Sequence, residues 1–286
     1  LQKRDKLHLV SVTSPRGAAG ISQHNRALLE RLHRHTTEAF DVGEAARVLG
    51  VDHEEAGRLL VYLARRGWLS RVRRGLYVPV PLDARRPGEW VADPWVVAER
   101  VFSPCYIGGW SACEYWDLTE QVFRTLLVIT ARRVRHRDVE IQGLPFHLTV
   151  RSEERLFGTV AVWRGQIRVE VSDPSRTVID ILDEPRLGGG LRTVADIVHE
   201  YLASEHRNDR LLVEYGDRLS NRAVFKRLGY LLEHSGVDAP ALIKACLERR
   251  SAGLVALDPS VKSPGRIVRR WGLRANVTLG TPGGSW

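Results

Sequence analysis

Residues 41–80 constrain the fold more than any other part of the chain. Asp41, with Glu44 three residues on, forms a capping-box start for a helix whose buried face is Ala45, Val48 and Leu49. Gly50 and Val51 make a turn. Asp52 and Glu55 repeat the capping pattern before a further helix with Ala56, Leu59, Leu60 and Leu63 on one side. Gly67 sits where a helix C-cap glycine belongs. Residues 68–72 and 76–80 then read as paired short strands, with Arg73, Arg74 and Gly75 at the tip. Ahead of all this, residues 22–35 predict a first helix striped by Leu28, Leu29 and Leu32. Three helices followed by a basic hairpin are the layout of a winged helix-turn-helix.

Such a layout supplies what duplex DNA requires: a helix slim enough for the major groove and cations placed for phosphates. On the third helix, Arg58, Tyr62 and Arg65 face away from the apolar stripe and are placed towards the major groove, with Arg66 beside them near the backbone. Arg58 and Arg65 are the candidates for base readout. Arg71, Arg73 and Arg74 would set the wing against phosphates or into the minor groove. His53, Glu54 and Glu55 load the start of this helix with acid, which suits its dipole but repels phosphate. Charge supports the same partner. The chain carries a net +9, and residues 1–80 hold 14 Lys and Arg against 8 Asp and Glu. Nearly all the cations are Arg, which can fork onto phosphate or guanine. Winged helices also serve as protein-docking modules, so the basic tip is what favours DNA.

Beyond the hairpin, residues 82–92 read as a linker and residues 93–279 as a larger mixed domain. Residues 1–20 read as a flexible arm and 280–286 as a disordered tail, which leaves 21–81 as the DNA-binding domain. In the larger domain, residues 95–102 predict a helix, 125–130 a strand, and 159–171 a hairpin turning at Arg164 and Gly165. Helices are predicted over 174–182, 193–202, 221–234 and 239–249. Strands first and helices later give an α+β class.

Several chemistries find no support. Cys105, Cys113 and Cys246 have no metal-type spacing and are odd in number, which fits a reducing cytoplasm. No apolar run reaches membrane-spanning length, and no signal-peptide pattern is seen. The ten His are scattered, with no His-Glu-x-x-His and no Walker loop. Asp180 and Asp183 lie one turn apart and could in principle share a divalent metal, but solvated helix charges are far commoner. No cofactor, metal or catalytic residue is assigned, and the chain reads as a non-enzyme. A second basic cluster, Arg132, Arg133, Arg135, His136 and Arg137, suits more DNA, an acidic protein or simply a solvated loop.

Four ordered motifs carry a family resemblance. The first is Pro104-Cys105-Tyr106-Ile107-Gly108-Gly109-Trp110-Ser111-Ala112, followed by Leu118-Thr119-Glu120-Gln121. The second runs from Val171 through Asp173-Pro174-Ser175-Arg176-Thr177 to Asp180, with Pro185 and Gly188-Gly189-Gly190 after it. The third is Lys226-Arg227-Leu228-Gly229-Tyr230-Leu231-Leu232-Glu233. The fourth joins Leu257-Asp258-Pro259 to Arg270-Trp271-Gly272-Leu273 and Asn276-Val277. With the winged helix, these make the chain resemble the AbiEi antitoxins of type IV toxin–antitoxin systems over roughly residues 20–279. The departures, such as Ile at 179 and 181 within the second motif, are mild. The resemblance implies a repressor of its own operon, bound to double-stranded operator repeats, and an antitoxin against a cognate nucleotidyltransferase-like toxin, with or without a stable complex. Each motif also has a plainer structural reading: Asp173 and Pro174 start a helix, Arg176 and Asp180 pair across one turn, and Gly188–Gly190 form a flexible connection. The third motif suits a buried helix, with Leu228, Tyr230, Leu231 and Leu232 inside and Lys226, Arg227 and Glu233 in more polar surroundings. The alternatives are a DNA-targeted nuclease or phosphotransferase, and a module that simply holds the toxin.

Overall fold

The computed structural model describes residues 21–36, 39–80 and 93–280. The expected arm, the linker over 82–92 and residues 281–286 of the tail lie outside the described residues. The chain divides into two compact units, Leu1–Ala92 and Asp93–Trp286.

In the first unit, α1 (Gln23–His35) starts where Ser22 Oγ accepts from the Asn25 N–H, and it buries Leu29 and Leu32. The capping box of α2 (Val42–Leu49) forms in full: Asp41 Oδ1 accepts from Glu44 N at 2.7 Å and Glu44 Oε2 accepts from Asp41 N at 2.8 Å. Gly50 ends α2 in the left-handed region at φ 70°, and Arg31 reaches across from α1 to the Leu49 carbonyl. At α3 (His53–Arg65) one half of the device is present, Asp52 Oδ1 accepting from Glu55 N. Its end is a Schellman motif. Gly67, at φ 79°, donates to Ala64 O, and Trp68 donates to Leu63 O.

The hairpin is β2 (Leu69–Arg73) and β3 (Leu76–Pro79), antiparallel, with a register shift between Arg71 and Arg73. Arg73 therefore ends β2 rather than opening the tip. A two-residue strand not foreseen from sequence, β1 (Phe40–Asp41), pairs with β3 and completes a sheet of order β1-β3-β2. Leu29, Leu32, Phe40, Ala45, Leu49, Leu60, Leu63, Leu69 and Tyr77 form this unit's own core.

The second unit is built on a six-stranded mixed sheet of order β6-β7-β5-β4-β9-β8. Its strands are β4 (Cys105–Ile107), β5 (Leu126–Thr130), β6 (Asp138–Ile141), β7 (Leu144–Val150), β8 (Thr159–Arg164) and β9 (Ile167–Ser172). The middle pair β4 and β5 is antiparallel, each has a parallel neighbour, and a hairpin closes either edge. The hairpin expected at Arg164 and Gly165 is β8–β9, with Arg164 opposite Ile167. Alternation along β5 sends Leu127 and Ile129 into the helical core, while α4 (Pro94–Phe102) packs on β4, β5 and β9 with Phe102 against Phe146 of β7.

The helical layer comprises α5 (Gly109–Tyr115), α6 (Pro174–Asp183), α7 (Leu191–Ala203), α8 (Asp209–Leu219), α9 (Ala223–Ser235) and α10 (Pro240–Arg249). Four of these six match expected helices, and neither the seven-residue α5 nor α8 was anticipated. For α8 a signal was present in Asn208, whose side chain caps Leu211 N, and in the buried set Leu212, Tyr215 and Leu219. A small sheet of order β10-β12-β11 closes the unit, from Val255–Ala256, Arg266–Val268 and Leu273–Ala275 for β10, β11 and β12. The chain is thus α+β, a winged helix followed by a larger mixed unit. No helix among the described residues is long and apolar enough to cross a membrane.

Candidate nucleic-acid interface

The apolar stripe of α3 fixes which residues can reach a ligand. Ala56, Leu60 and Leu63 are buried, so at about 100° per residue the opposite side carries Glu54, Arg58 and Arg65 close together. All three are exposed. Arg58 Nη1 meets Glu54 Oε1 at 2.7 Å, one turn away, with both side chains more than two-thirds exposed. The charge that could repel phosphate is therefore held against a cation. Arg65 stands in solvent at the end of the helix. Tyr62 is half-buried: its ring packs against the core, and the Arg66 guanidinium lies 5.1 Å from its centroid. Tyr62 and Arg66 thus form a stacked pair on the flank of α3 rather than two independent contacts.

In the wing, strand alternation puts Val72 inside and leaves Arg71 and Arg73 exposed on either side of it. Arg71 Nε donates to Arg73 O at 3.4 Å, which draws its side chain along the strand. Arg74 and Gly75 make the two-residue tip, and Gly75 at φ 80° permits a turn this tight. Four exposed guanidinium groups, at 65, 71, 73 and 74, occupy the end of α3 and the wing.

The second-unit motifs fall at packing junctions. In the second motif, Asp173 caps α6 through Arg176 N. Arg176 and Asp180 pair at 2.9 Å with side chains 1% and 6% exposed. Tyr106 from the first motif donates to Asp180 Oδ2 at 2.8 Å, and Arg176 Nη2 donates to Tyr106 Oη and to Arg155 O. Burial pushes the Asp180 carboxyl above its ordinary value, against the opposing pull of Arg176 and Tyr106. Asp183, its neighbour on α6, instead accepts from Asn221 Nδ2 and lies within 3.6 Å of Arg151 and Arg155. The two carboxylates are thus separately employed, and among the described residues no group of three or more His, Cys, Asp or Glu could hold a metal.

Three sequence expectations are corrected here. Lys226 and Arg227 are not in polar surroundings but buried. Lys226 donates to Gly253 O at 2.7 Å, and Arg227 donates to Leu257 O and Leu182 O. Burial lowers the pKa of both, with Arg250 adding to the effect at Lys226. Both are interior because carbonyls far away in sequence receive them, which helical periodicity does not reveal. Tyr230 is half-buried rather than part of the buried set. Gly188–Gly190 is not a flexible connection. Gly188 is buried, a Cβ there would lie 2.7 Å from Val194, and Gly190 donates to Pro185 O.

The third and fourth motifs lock together. Trp271 lies across Gly229, where a Cβ would come within 2.0 Å of the indole. Its Nε1 donates to Glu233. Asp258 accepts from Leu191 N and Ser260 N, and Asn276 joins Asp258 N to the Val261 carbonyl. The exposed Arg133, Arg135, His136 and Arg137 form an uncovered loop between β5 and β6, while Arg132 donates to the Val101 carbonyl.

Three helices, a short strand and a basic wing define the first unit as a winged helix-turn-helix. Residues 26–80 match the family described as "Transcriptional regulator, AbiEi antitoxin". Over that segment the chain is similar to the AbiEi antitoxin transcriptional regulators. Across 92% of this chain and 94% of the other, the fold matches the crystal structure of the RV2827C protein from Mycobacterium tuberculosis, with a TM-score of 0.63 and 17% identity. At that identity the likeness is one of fold. Among curated proteins none matches this chain.

Proposed function

We propose that this protein is a DNA-binding autorepressor and the antitoxin of a type IV toxin–antitoxin pair. The observation that carries the reading is the coincidence of the AbiEi regulator match over residues 26–80 with exposed arginines on α3 and on the wing of the same segment. In this reading α3 enters the major groove, and Arg58 and Arg65 read base edges. Arg71, Arg73 and Arg74 contact phosphates or the minor groove, and Tyr62 with Arg66 bears on the sugar-phosphate backbone. Arg58 leaves Glu54 for DNA at little cost, because an exposed pair is worth at most about 1 kcal/mol. A single winged helix covers too little DNA for high specificity, so repeated half-sites in the protein's own operator are the expected target.

The second unit is assigned neutralisation of a nucleotidyltransferase-like toxin. Its motif residues support a non-enzymatic role, since Arg176, Asp180, Lys226, Arg227 and Asp258 are all engaged within the protein. The deciding experiment is a DNA-binding titration against the protein's own upstream region at two salt concentrations, with an unrelated duplex as control. Tighter, steeply salt-dependent binding to the upstream region is expected. Equal weak binding to both duplexes would remove the repressor reading and leave a protein-docking module.

A further inference from the structure

A cleft of about 390 Å3 opens in the second unit where α4 and α5 meet the starts of β5 and β7 and the end of β8. Its size falls within the range of small-ligand clefts, about 300–1,000 Å3. Its walls combine three chemistries. Trp95, Tyr115 and Phe123 are aromatic, with Trp95 and Tyr115 tilted at 5.1 Å and Phe123 stacked on Trp110 behind it. Arg124 and Arg164 are cationic. Glu114 and Ser111 supply oxygens on neighbouring turns of α5.

Of the two arginines, Arg164 is ion-paired with Asp93, whereas Arg124 is exposed and forms no ion pair among the described residues. Arg164 stands over Trp95, its guanidinium carbon 4.3 Å from the ring centroid. Its Nε is buried without a hydrogen-bond partner, because Asp93 Oδ2 stands 4.0 Å away. A buried guanidinium N–H left unmade is costly unless something else accepts from it. Glu114 Oε2 receives only a long 3.5 Å bond from the Phe123 N–H. Ser111 Oγ already accepts from Leu127 N, so its own proton is available to donate.

We propose that this cleft binds a nucleoside phosphate. Two guanidinium groups call for a polyanion, since one carboxylate would leave one of them idle, and a planar fork suits phosphate oxygens. The exposed face of Tyr115 and the apolar edges of Leu126, Leu144 and Pro145 provide the surface on which a base lies. Glu114 accepts from ribose hydroxyls or an exocyclic amine. The site is confined to the second unit, shares no residue with the proposed DNA interface, and does not depend on that interface being right.

The test is equilibrium dialysis of the full-length protein with ATP, GTP, CTP and UTP in turn, at physiological salt. At least one is expected to bind with Kd below about 1 mM, an affinity of roughly 4 kcal/mol. Arg164→Gln and Arg124→Ala should each weaken it about tenfold. Inorganic triphosphate, which has no ring, should bind at least tenfold more weakly, and Arg133→Ala with Arg135→Ala should change nothing beyond twofold. Arg124 is exposed, so its variant keeps the test alive if Arg164→Gln does not fold. No binding below about 1 mM overturns the proposal. So does equal binding of inorganic triphosphate, or an equal loss in the Arg133/Arg135 variant, because either would mark diffuse attraction to a basic protein.

Discussion

The 2.7 Å pair between Arg58 and Glu54 sets up a competition that mutation can read. Removing the acid frees Arg58 and lifts a like charge away from phosphate. Glu54→Ala is therefore expected to tighten binding to any duplex severalfold at low salt, with the gain fading as salt rises. A gel-shift titration at two salt concentrations checks it; unchanged affinity would place α3 outside the interface. Arg73→Ala with Arg74→Ala should flatten the salt slope of binding by up to about two units. An unaltered slope would remove the wing tip from DNA. Gly229→Ala tests packing alone. With the Trp271 ring already in the space of a Cβ, it should destabilise the second unit by about 3 kcal/mol in thermal or urea melts while leaving DNA affinity intact. The exposure of Arg58, Arg65, Arg71, Arg73 and Arg74 was legible because each is defined against a neighbouring apolar position. The burial of Lys226 and Arg227 was not, because their acceptors at Gly253, Leu182 and Leu257 are brought together only by the tertiary fold.

Among the elements, α2 carries the complete capping box and α3 half of it. Asp41 serves twice, as cap of α2 and as a residue of β1. Asp41→Ala should cost the first unit about 1 kcal/mol, measurable as a lowered denaturation midpoint with the second unit unaffected. Most helices with an apolar stripe were readable in advance, α8 excepted despite its cap and stripe, and so was the β8–β9 hairpin with its glycine turn. The β6–β7 hairpin was not, and neither were the strands of two or three residues, β1, β4 and β10–β12. A segment that short shows no alternation, and its partners lie far away in sequence. Among the loops, Glu184 joins the end of α6 to Arg151 and Arg186. Burial alone would raise its pKa, but the hydrogen bond from Arg151 and the charges of Arg151 and Arg186 hold it below the ordinary glutamate value. A carboxylate depressed in this way contributes stability above its unfolded pKa, and that stability is lost as pH falls through the folded value. Stability of the second unit should therefore drop below about pH 4, and Glu184→Gln should make that acid limb shallower in melts taken across pH.

At the scale of the whole chain, each unit has a core of its own, and the three cysteines all lie buried in the second. Burial pushes the Cys246 thiol up to about 12, so a thiol reagent should label none of the three in the native protein. Labelling then times the opening of the second unit alone. Trp271 has a further consequence. The ring that fills the slot over Gly229 belongs, with Leu257 and Leu273, to the core that also holds α6 and α9. During synthesis that slot stays open until residue 271 has left the ribosome, whereas residues 21–80 emerge long before and already contain everything their own core needs. The winged-helix unit is therefore finished first. For the interval in which the rest is still being made, each nascent chain is a folded winged helix tethered to an unfinished second unit.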